Sequence, residues 1–323
     1  MARILTGIQS TGTPHLGNLL GAILPAIEMA NNSENDAFLF IADLHSLTQV
    51  KNGEEMRNNT YSVAATWLAC GLNPENMVFY RQSDVPECAE LSWYLSCYFP
   101  FKRLQLAHSF KDKADRLEDV NGGLFNYPML MAADILLYDA EFVPVGKDQL
   151  QHLEMTRDVA SRFNHSMGDT FVVPEAKIEE NNMLIPGTDG QKMSKSRNNY
   201  INIFLPKNEL KKVVNKNFVT DDTPLEDPKD PDTSAIFQLY KLIATEQQAA
   251  EMANNLRAGG YGWGHAKKEL LNCILERFSE EREKYDYYMN NTSEVDDVLL
   301  KGAEKARIVA NETLKRVRRK CGY

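Results

Sequence analysis

The sequence predicts an α/β protein in which a parallel, doubly wound sheet is followed by an all-helical C-terminal domain. Three observations carry this reading. Short apolar runs at 3–8, 37–42 and 77–82 alternate with segments whose apolar residues recur at helical spacing, the pattern that builds parallel sheets. No convincing strand pattern follows residue 205 or so. The chain has 323 residues, large for one hydrophobic core and suited to about two domains. The expected division is a catalytic α/β domain over 1–205 and a helical domain over 206–323, whose last helix has the option of packing back on the first domain.

The elements follow in order. Residues 3–8 (Arg-Ile-Leu-Thr-Gly-Ile) read as a short buried strand, and a loop with Gly12, Thr13 and Pro14 leads into a helix. Leu19, Leu20, Ile23, Leu24 and Ile27 give that helix its apolar face, and Pro25 predicts a kink or an irregular turn in it. A second strand is expected at 37–42, a helix at 54–70 and a third strand at 77–82. Residues 87–116 and 123–139 look mostly helical, 141–145 strand-like and 147–164 helical, with an extended stretch at 170–173 before Pro174. Helices are then predicted at 207–217, 233–257, 265–290 and 295–320, and the Asp-, Pro- and Thr-rich 220–232 as a linker or exposed turn.

Composition excludes several classes. Hydrophobic residues make up 43% and charged residues 25%, which rules out a disordered chain, a collagen-like repeat and a disulfide scaffold. No segment approaches the ~18–20 apolar residues of a membrane span, and the opening residues show no secretory signal. Five scattered cysteines without C-x-x-C spacing predict reduced thiols, no structural zinc and a cytoplasmic location. The net charge of −9 argues against a general nucleic-acid coat. It is uneven, however: residues 301–323 carry +6, leaving −15 on the rest. That basic helix suits either contact with phosphates or a solvated helix end with dipole-friendly cations.

Two motifs carry chemistry. The first runs from Gly7 to Asn18 and places small residues and backbone N–H groups at the start of a helix, where an anion sits favourably. Gly17 lets a flat base or a phosphate approach the backbone, and His15 and Asn18 can donate to phosphate oxygens. By itself the segment suits a capped strand–helix turn equally well. The second is Lys192-Met193-Ser194-Lys195-Ser196 behind Pro186-Gly187-Thr188-Asp189-Gly190. Its lysines, three apart on a glycine-flanked loop, suit closure over a polyphosphate. A solvated Lys/Ser loop is the commoner use of such a pentamer.

The ordered pair resembles the class I aminoacyl-tRNA synthetases, which carry a "HIGH" and a "KMSKS" element on a Rossmann-like domain. His15-Leu16-Gly17-Asn18 matches the first with Asn18 in place of the last His, and 192–196 matches the second in full. Tyr127-Pro128-Met129-Leu130-Met131-Ala132-Ala133-Asp134 and Pro144-Val145-Gly146-Lys147-Asp148-Gln149 look like the amino-acid pocket of the tryptophan-specific, bacterial branch. The resemblance runs over essentially the whole chain.

The resemblance implies tryptophan–tRNA ligation. Asp134, a carboxylate in a helix apolar on nearly all sides, is costly there unless paired. It would accept the indole N–H and so reject phenylalanine. Met131 would wall the ring, Tyr127 and Gln149 would contact the α-amino group, and Gln9 and His45 would line the pocket. ATP would be met by Gln9, Ser10, Thr11, His15, Gly17, Asn18, Gly146, Lys147 and Asp148. Backbone near Leu184 or Ile185 would edge the adenine, with Met193, Ser194 and Ser196 on the closing loop. Lys192, Lys195 and Lys113 would neutralise the leaving pyrophosphate. ATP is then the energy-supplying substrate, Mg²⁺ arrives with it, and neither zinc nor an iron–sulfur cluster is expected.

Partners implied are the tRNA for tryptophan, L-tryptophan and a second copy of the chain in a homodimer, with no membrane. Tyr240, Tyr261 and Trp263 in the helical domain are platforms for anticodon bases or, more simply, core. The sequence departs from the pattern at His15, where several bacterial relatives carry Thr, and shows no insertion large enough for an editing domain. Tyrosine ligation is the nearest alternative, opposed by Met131 where a polar Gln would hold a phenol. A small-molecule nucleotidyltransferase would need neither the helical domain nor 192–196, and a synthetase-like binding protein would not need Lys192, Lys195 and Asp134 intact.

Overall fold

A computed structural model describes residues 3–32, 34–107, 110, 120–146, 149–178 and 184–323. Its sheet holds β1 (Arg3–Ile8), β2 (Asp36–Ile41), β3 (Val78–Arg81), β4 (Phe142–Val145) and β5 (Glu175–Ile178). All pairings are parallel, in the order β3-β2-β1-β4-β5. Ile4 of β1 stands beside Ala37 of β2 on one side and Phe142 of β4 on the other. The strand order reverses between β1 and β4, and the crevice beyond their C-terminal ends is where such sheets bind ligands. β2 is buried on both faces from Ala37 to Ile41, so it reads as one continuous apolar run.

β5 corrects the expected extended stretch at 170–173: the strand begins after Pro174. It is an edge strand, and Glu175 and Ala176 are exposed, so burial leaves no apolar signal there.

Helices cover the sheet. α1 (Leu16–Asn18) runs through a π-helical turn (Leu19–Ile23) into α2 (Leu24–Asn31). The π turn is the form taken by the irregularity that Pro25 predicts, since proline at the second position of α2 has no N–H to give the preceding turn. α3 (Asp43–Ser46) and α4 (Gly53–Ala69) follow β2. α5 (Glu87–Tyr98) and α6 (Phe101–Leu104) divide at Pro100 within the mostly helical stretch expected over 87–116, of which residues 108–109 and 111–116 lie outside the described residues. α7 (Gly122–Leu136) is shorter than the expected 123–139, and α8 (Leu150–Met167) starts later than 147.

The C-terminal part is helical throughout, as α9 (Lys207–Asn217), α10 (Ala235–Ile243), α11 (Glu246–Ala258), α12 (Trp263–Arg277), α13 (Ser279–Asn290) and α14 (Thr292–Cys321). Two expected helices are each broken once. The break in 233–257 falls at Thr245, which forms a capping box with Gln248 and so starts a new helix. The break in 265–290 falls at Phe278, whose φ of −110° and ψ of 23° leave the helical region.

α14 lies against β3. Gly302 makes this possible: a Cβ there would stand 1.7 Å from the Phe79 carbonyl oxygen. Its buried face, with Ala303, Ala306, Ala310, Leu314 and Val317, joins the core formed by Leu5, Phe38 and Leu91. Three of its arginines are spent on the α/β body. Arg307 pairs with Glu87 at 2.8 Å and Arg316 with Asp139 at 2.6 Å, and Arg318 pairs with Glu90. Among the described residues, no helix is long and apolar enough to cross a membrane.

Candidate active site

The first motif turns at the end of β1. Gly7 is required there because a Cβ would stand 2.4 Å from the Phe40 ring. His15 caps α1: its Nδ1 accepts the Asn18 N–H at 3.2 Å, while the Asn18 side-chain oxygen accepts the His15 N–H at 3.1 Å. Leu16 N–H bonds the Ile201 carbonyl at 2.8 Å, tying the start of the helix to the chain just beyond the lysine loop.

That loop is braced by Asn199. Its oxygen accepts from Ser194 N–H at 2.7 Å, and its amide donates to Asp189 at 2.7 Å and to the Lys192 carbonyl at 3.1 Å. The Asn199 hydrogen bond holds the Asp189 carboxyl below the usual range. Met193 N–H bonds the Ile185 carbonyl at 2.9 Å, beside a bridge between Pro186 and Lys192.

The two motifs face one another across a cavity of about 490 Å³. Gln9, Thr11, Gly12, His15, Gly17, Asn18, Ile185, Lys192, Met193, Ser194, Lys195 and Ser196 line it. They also touch directly. Lys195 Nζ donates to the Thr11 carbonyl at 2.9 Å, and Gly17 N–H lies 3.2 Å from the Met193 sulfur. Gly12 has a φ of +98°, and a Cβ there would stand 3.2 Å from Lys195 Nζ. Burial lowers the Lys195 pKa. Burial, then the Lys195 charge, lowers His15 to about 4, so its imidazole is neutral and its Nδ1 is free to cap α1. The cavity thus offers cations and helix-start N–H groups to an extended anion.

A second constellation lies beneath α7. Tyr127, Met131 and Asp134 sit at i, i+4 and i+7, on one face of the helix. Asp134 is 3% exposed. It accepts from the Gln82 amide at 2.8 and 2.9 Å and from the Cys88 thiol at 2.9 Å, and His45 Nε2 lies 2.9 Å from its other oxygen. Tyr127 OH lies 2.8 Å from His152 Nε2, and its ring meets His45 edge-on at 5.5 Å. Asp43 is nearby on the same turn as His45. Burial raises its pKa, although Ser83 and Leu44 N–H groups both bond its Oδ1 at 3.0 Å.

Most expected site residues therefore gather in two places, but some do not. Ser10 is fully buried and tied to Ser46 at 2.9 Å, so it supports the first loop from behind and does not line the cavity. Leu184 is exposed, whereas Ile185 lines the cavity. Gly146 and Gln149 follow β4, joined by the Gln149 N–H to Gly146 carbonyl bond at 2.9 Å. Lys113, Lys147 and Asp148 lie outside the described residues. Tyr240 is buried core, and Tyr261 and Trp263 are half-buried.

Gln82, Cys88 and Asn199 were missed by sequence reading. Gln82 and Cys88 come from chain distant from Asp134, and only the polar Gln ending an apolar strand gave any sign. Asn199 lies within sight of the lysine motif, in an Asn-Asn pair whose first member, Asn198, has a φ of 51°.

The family described as tRNA synthetases class I (W and Y) matches residues 1–279. A tryptophan–tRNA ligase of Fusobacterium nucleatum is 47% identical over 319 residues, covering 98% of this chain and 97% of that one. One of Rhodopirellula baltica is 45% identical, covering 99% of both. The crystal structure of tryptophanyl-tRNA synthetase from Campylobacter jejuni complexed with ADP and tryptophan superposes with a TM-score of 0.95 at 42% identity, covering 99% of this chain and 100% of that one.

Proposed function

Because the chain belongs to the class I tRNA synthetases for tryptophan and tyrosine, we infer that it is a tryptophan–tRNA ligase and propose how its residues divide the work. Tryptophan is activated by ATP to tryptophanyl-adenylate, and the tryptophanyl group then passes to the terminal ribose of tRNA. One observation carries the division of labour. The two motif loops share a single cavity, joined by Lys195 and Thr11 at 2.9 Å, while a buried carboxylate stands on a separate helix.

In this reading the cavity takes ATP. The tryptophan carboxylate attacks the α-phosphorus, and pyrophosphate leaves in line. The transition state needs little covalent help, so the protein positions the reactants and stabilises charge. Lys195, already desolvated beside Thr11, and Lys192 at the cavity rim neutralise the leaving pyrophosphate. Lys113 is assigned the same task. Gly17 and the N–H groups of α1 approach the nucleotide, and the backbone at Ile185 edges the adenine. Mg²⁺ would come with the nucleotide and would help neutralise its phosphate charge. Asp134 accepts the indole N–H, Met131 covers the ring, and Tyr127 and Gln149 hold the α-amino group. Met131 on the face of Asp134 supports tryptophan over tyrosine, because it offers a phenol hydroxyl nothing to bond.

The unit beginning at residue 206 is assigned to the tRNA anticodon. The ion pairs of Arg307, Arg316 and Arg318, and the bond of Lys305 to the Pro74 carbonyl, leave Lys301, Lys315, Arg319 and Lys320 as the cations of α14 for phosphates. A two-fold dimer in the cytoplasm completes the proposal. Charging of a tRNA transcript for tryptophan with labelled tryptophan tests it. Charging with tryptophan alone is expected. Binding of both substrates without charging would make the chain a binding protein on an enzyme scaffold.

A further inference from the structure

We propose that Cys88 is a positioning residue of the amino-acid pocket: its thiol, together with the Gln82 amide, fixes the Asp134 carboxylate so that one acceptor position faces the indole N–H. The inference rests on the reading of Asp134 as the indole acceptor and adds what aims it.

A carboxylate offers about four acceptor positions. Three donors already occupy Asp134. Cys88 Sγ is 2.9 Å from Oδ1, the Gln82 amide bridges both oxygens at 2.8 and 2.9 Å, and His45 Nε2 is 2.9 Å from Oδ2. These donors make four contacts, two on each oxygen, so the indole N–H would take over the Oδ2 position that His45 holds.

The first two donors cannot turn away. Gln82 is 1% exposed, and its own oxygen accepts Leu44 N–H at 3.1 Å, which fixes the amide end that meets Asp134. The Asp43 carboxylate then locks the turns after β2 and β3 by accepting from Leu44 and Ser83. Cys88 is 2% exposed in the first turn of α5. Burial and the neighbouring Asp134 hold its thiol well above the ordinary range, so it keeps its proton and serves as a donor. His45, in contrast, sits on a four-residue helix, and its Nδ1 finds no partner among the described residues. The carboxylate plane is thus set from the strand side by Gln82 and Cys88. A carboxylate free to rotate would present the same charge with a misdirected lone pair, and the indole bond depends on direction.

The test is tryptophan-dependent ATP–pyrophosphate exchange by the full chain, with KM for tryptophan, KM for ATP and kcat measured separately. Cys88→Ala is expected to raise the tryptophan KM about tenfold with the ATP KM unchanged, and Cys88→Ser, which restores a donor, to recover most of that loss. Cys88→Val keeps the packing volume without a donor and replaces the alanine variant if that one does not fold. An unchanged tryptophan KM in the donor-free variant overturns the proposal. So does a parallel rise of both KM values with no rescue by serine, which is the mark of a packing role. Asp134→Asn separates the two levels. If it raises the tryptophan KM while the donor-free variant does not, only the positioning role fails. If it leaves the tryptophan KM unchanged, the indole-acceptor reading fails and the proposal with it.

Discussion

His15 should make this protein acid-sensitive in a way traceable to one imidazole. Burial and the Lys195 charge take its pKa from 6.5 to about 4 in the folded chain. The folded value lies below the unfolded one, so the unfolded chain takes up the proton first. The stability linked to this group is therefore complete above pH 6.5 or so and is lost as the pH falls toward 4. Fully buried, such a displacement corresponds to about 3 kcal/mol; His15 borders an open cavity, and screening there reduces the figure to about 2 kcal/mol.

His15→Asn keeps a good N-cap acceptor but does not titrate. Urea unfolding at pH 7 and pH 5 should show the wild type losing about 1 kcal/mol more than this variant over that interval. The imidazole resonance gives the direct readout. Its midpoint is expected near 4. Lys195→Met should raise it, and a bound ATP analogue should raise it further by bringing phosphate charge into the cavity. Equal losses in the two proteins, or a midpoint at or above 6.5, would refute the reasoning.

Three further predictions follow from the same geometry. Lys195→Ala should slow tryptophan activation by about 10²–10³-fold in single-turnover exchange while tryptophan binding is unchanged, and a normal rate would remove the lysine from the mechanism. Gly17→Ala brings a Cβ to 3.0 Å from His15 Nδ1 and 3.2 Å from the Met193 Cβ, so the ATP KM should rise severalfold with the tryptophan KM unaffected. Gly302→Ala sets a methyl 1.7 Å from the Phe79 carbonyl oxygen. In thermal melts it should cost about 3 kcal/mol or more, whereas Gly264→Ala, with open space around it, should be neutral or mildly stabilising.

Much of the fold was legible because burial and sequence pattern coincide. β2 is apolar because helices cover both faces of the sheet, and β1 buries Ile4 and Leu5 beside it. Legibility fails where burial does not dictate composition, as in β5, or where a local cap competes with a long apolar stripe. Thr245 and Gln248 were a readable signal, since a capping box starts a helix even inside a helical pattern. Phe278 offers no such signal, because an aromatic residue suits either side of a helix break.

The site shows the same division. Both motif loops are contiguous stretches of chain, so their spacing could be read. The environment of Asp134 could not: His45, Gln82 and Cys88 come from three separate turns that meet only after the sheet forms. A costly carboxylate in an apolar helix announces that partners exist but not which they are. Ser10 shows the converse, a motif residue whose side chain the fold turns inward.

The most direct measurement is ATP–pyrophosphate exchange on the full chain with Mg²⁺ and each of the twenty amino acids in turn. Exchange with tryptophan alone is the predicted result, because it requires the joined loops and the Asp134 pocket to work together. Exchange with tyrosine would keep the fold and the lysine chemistry but contradict the roles given to Asp134 and Met131. Silence with all twenty would contradict the assignment of catalysis to this site.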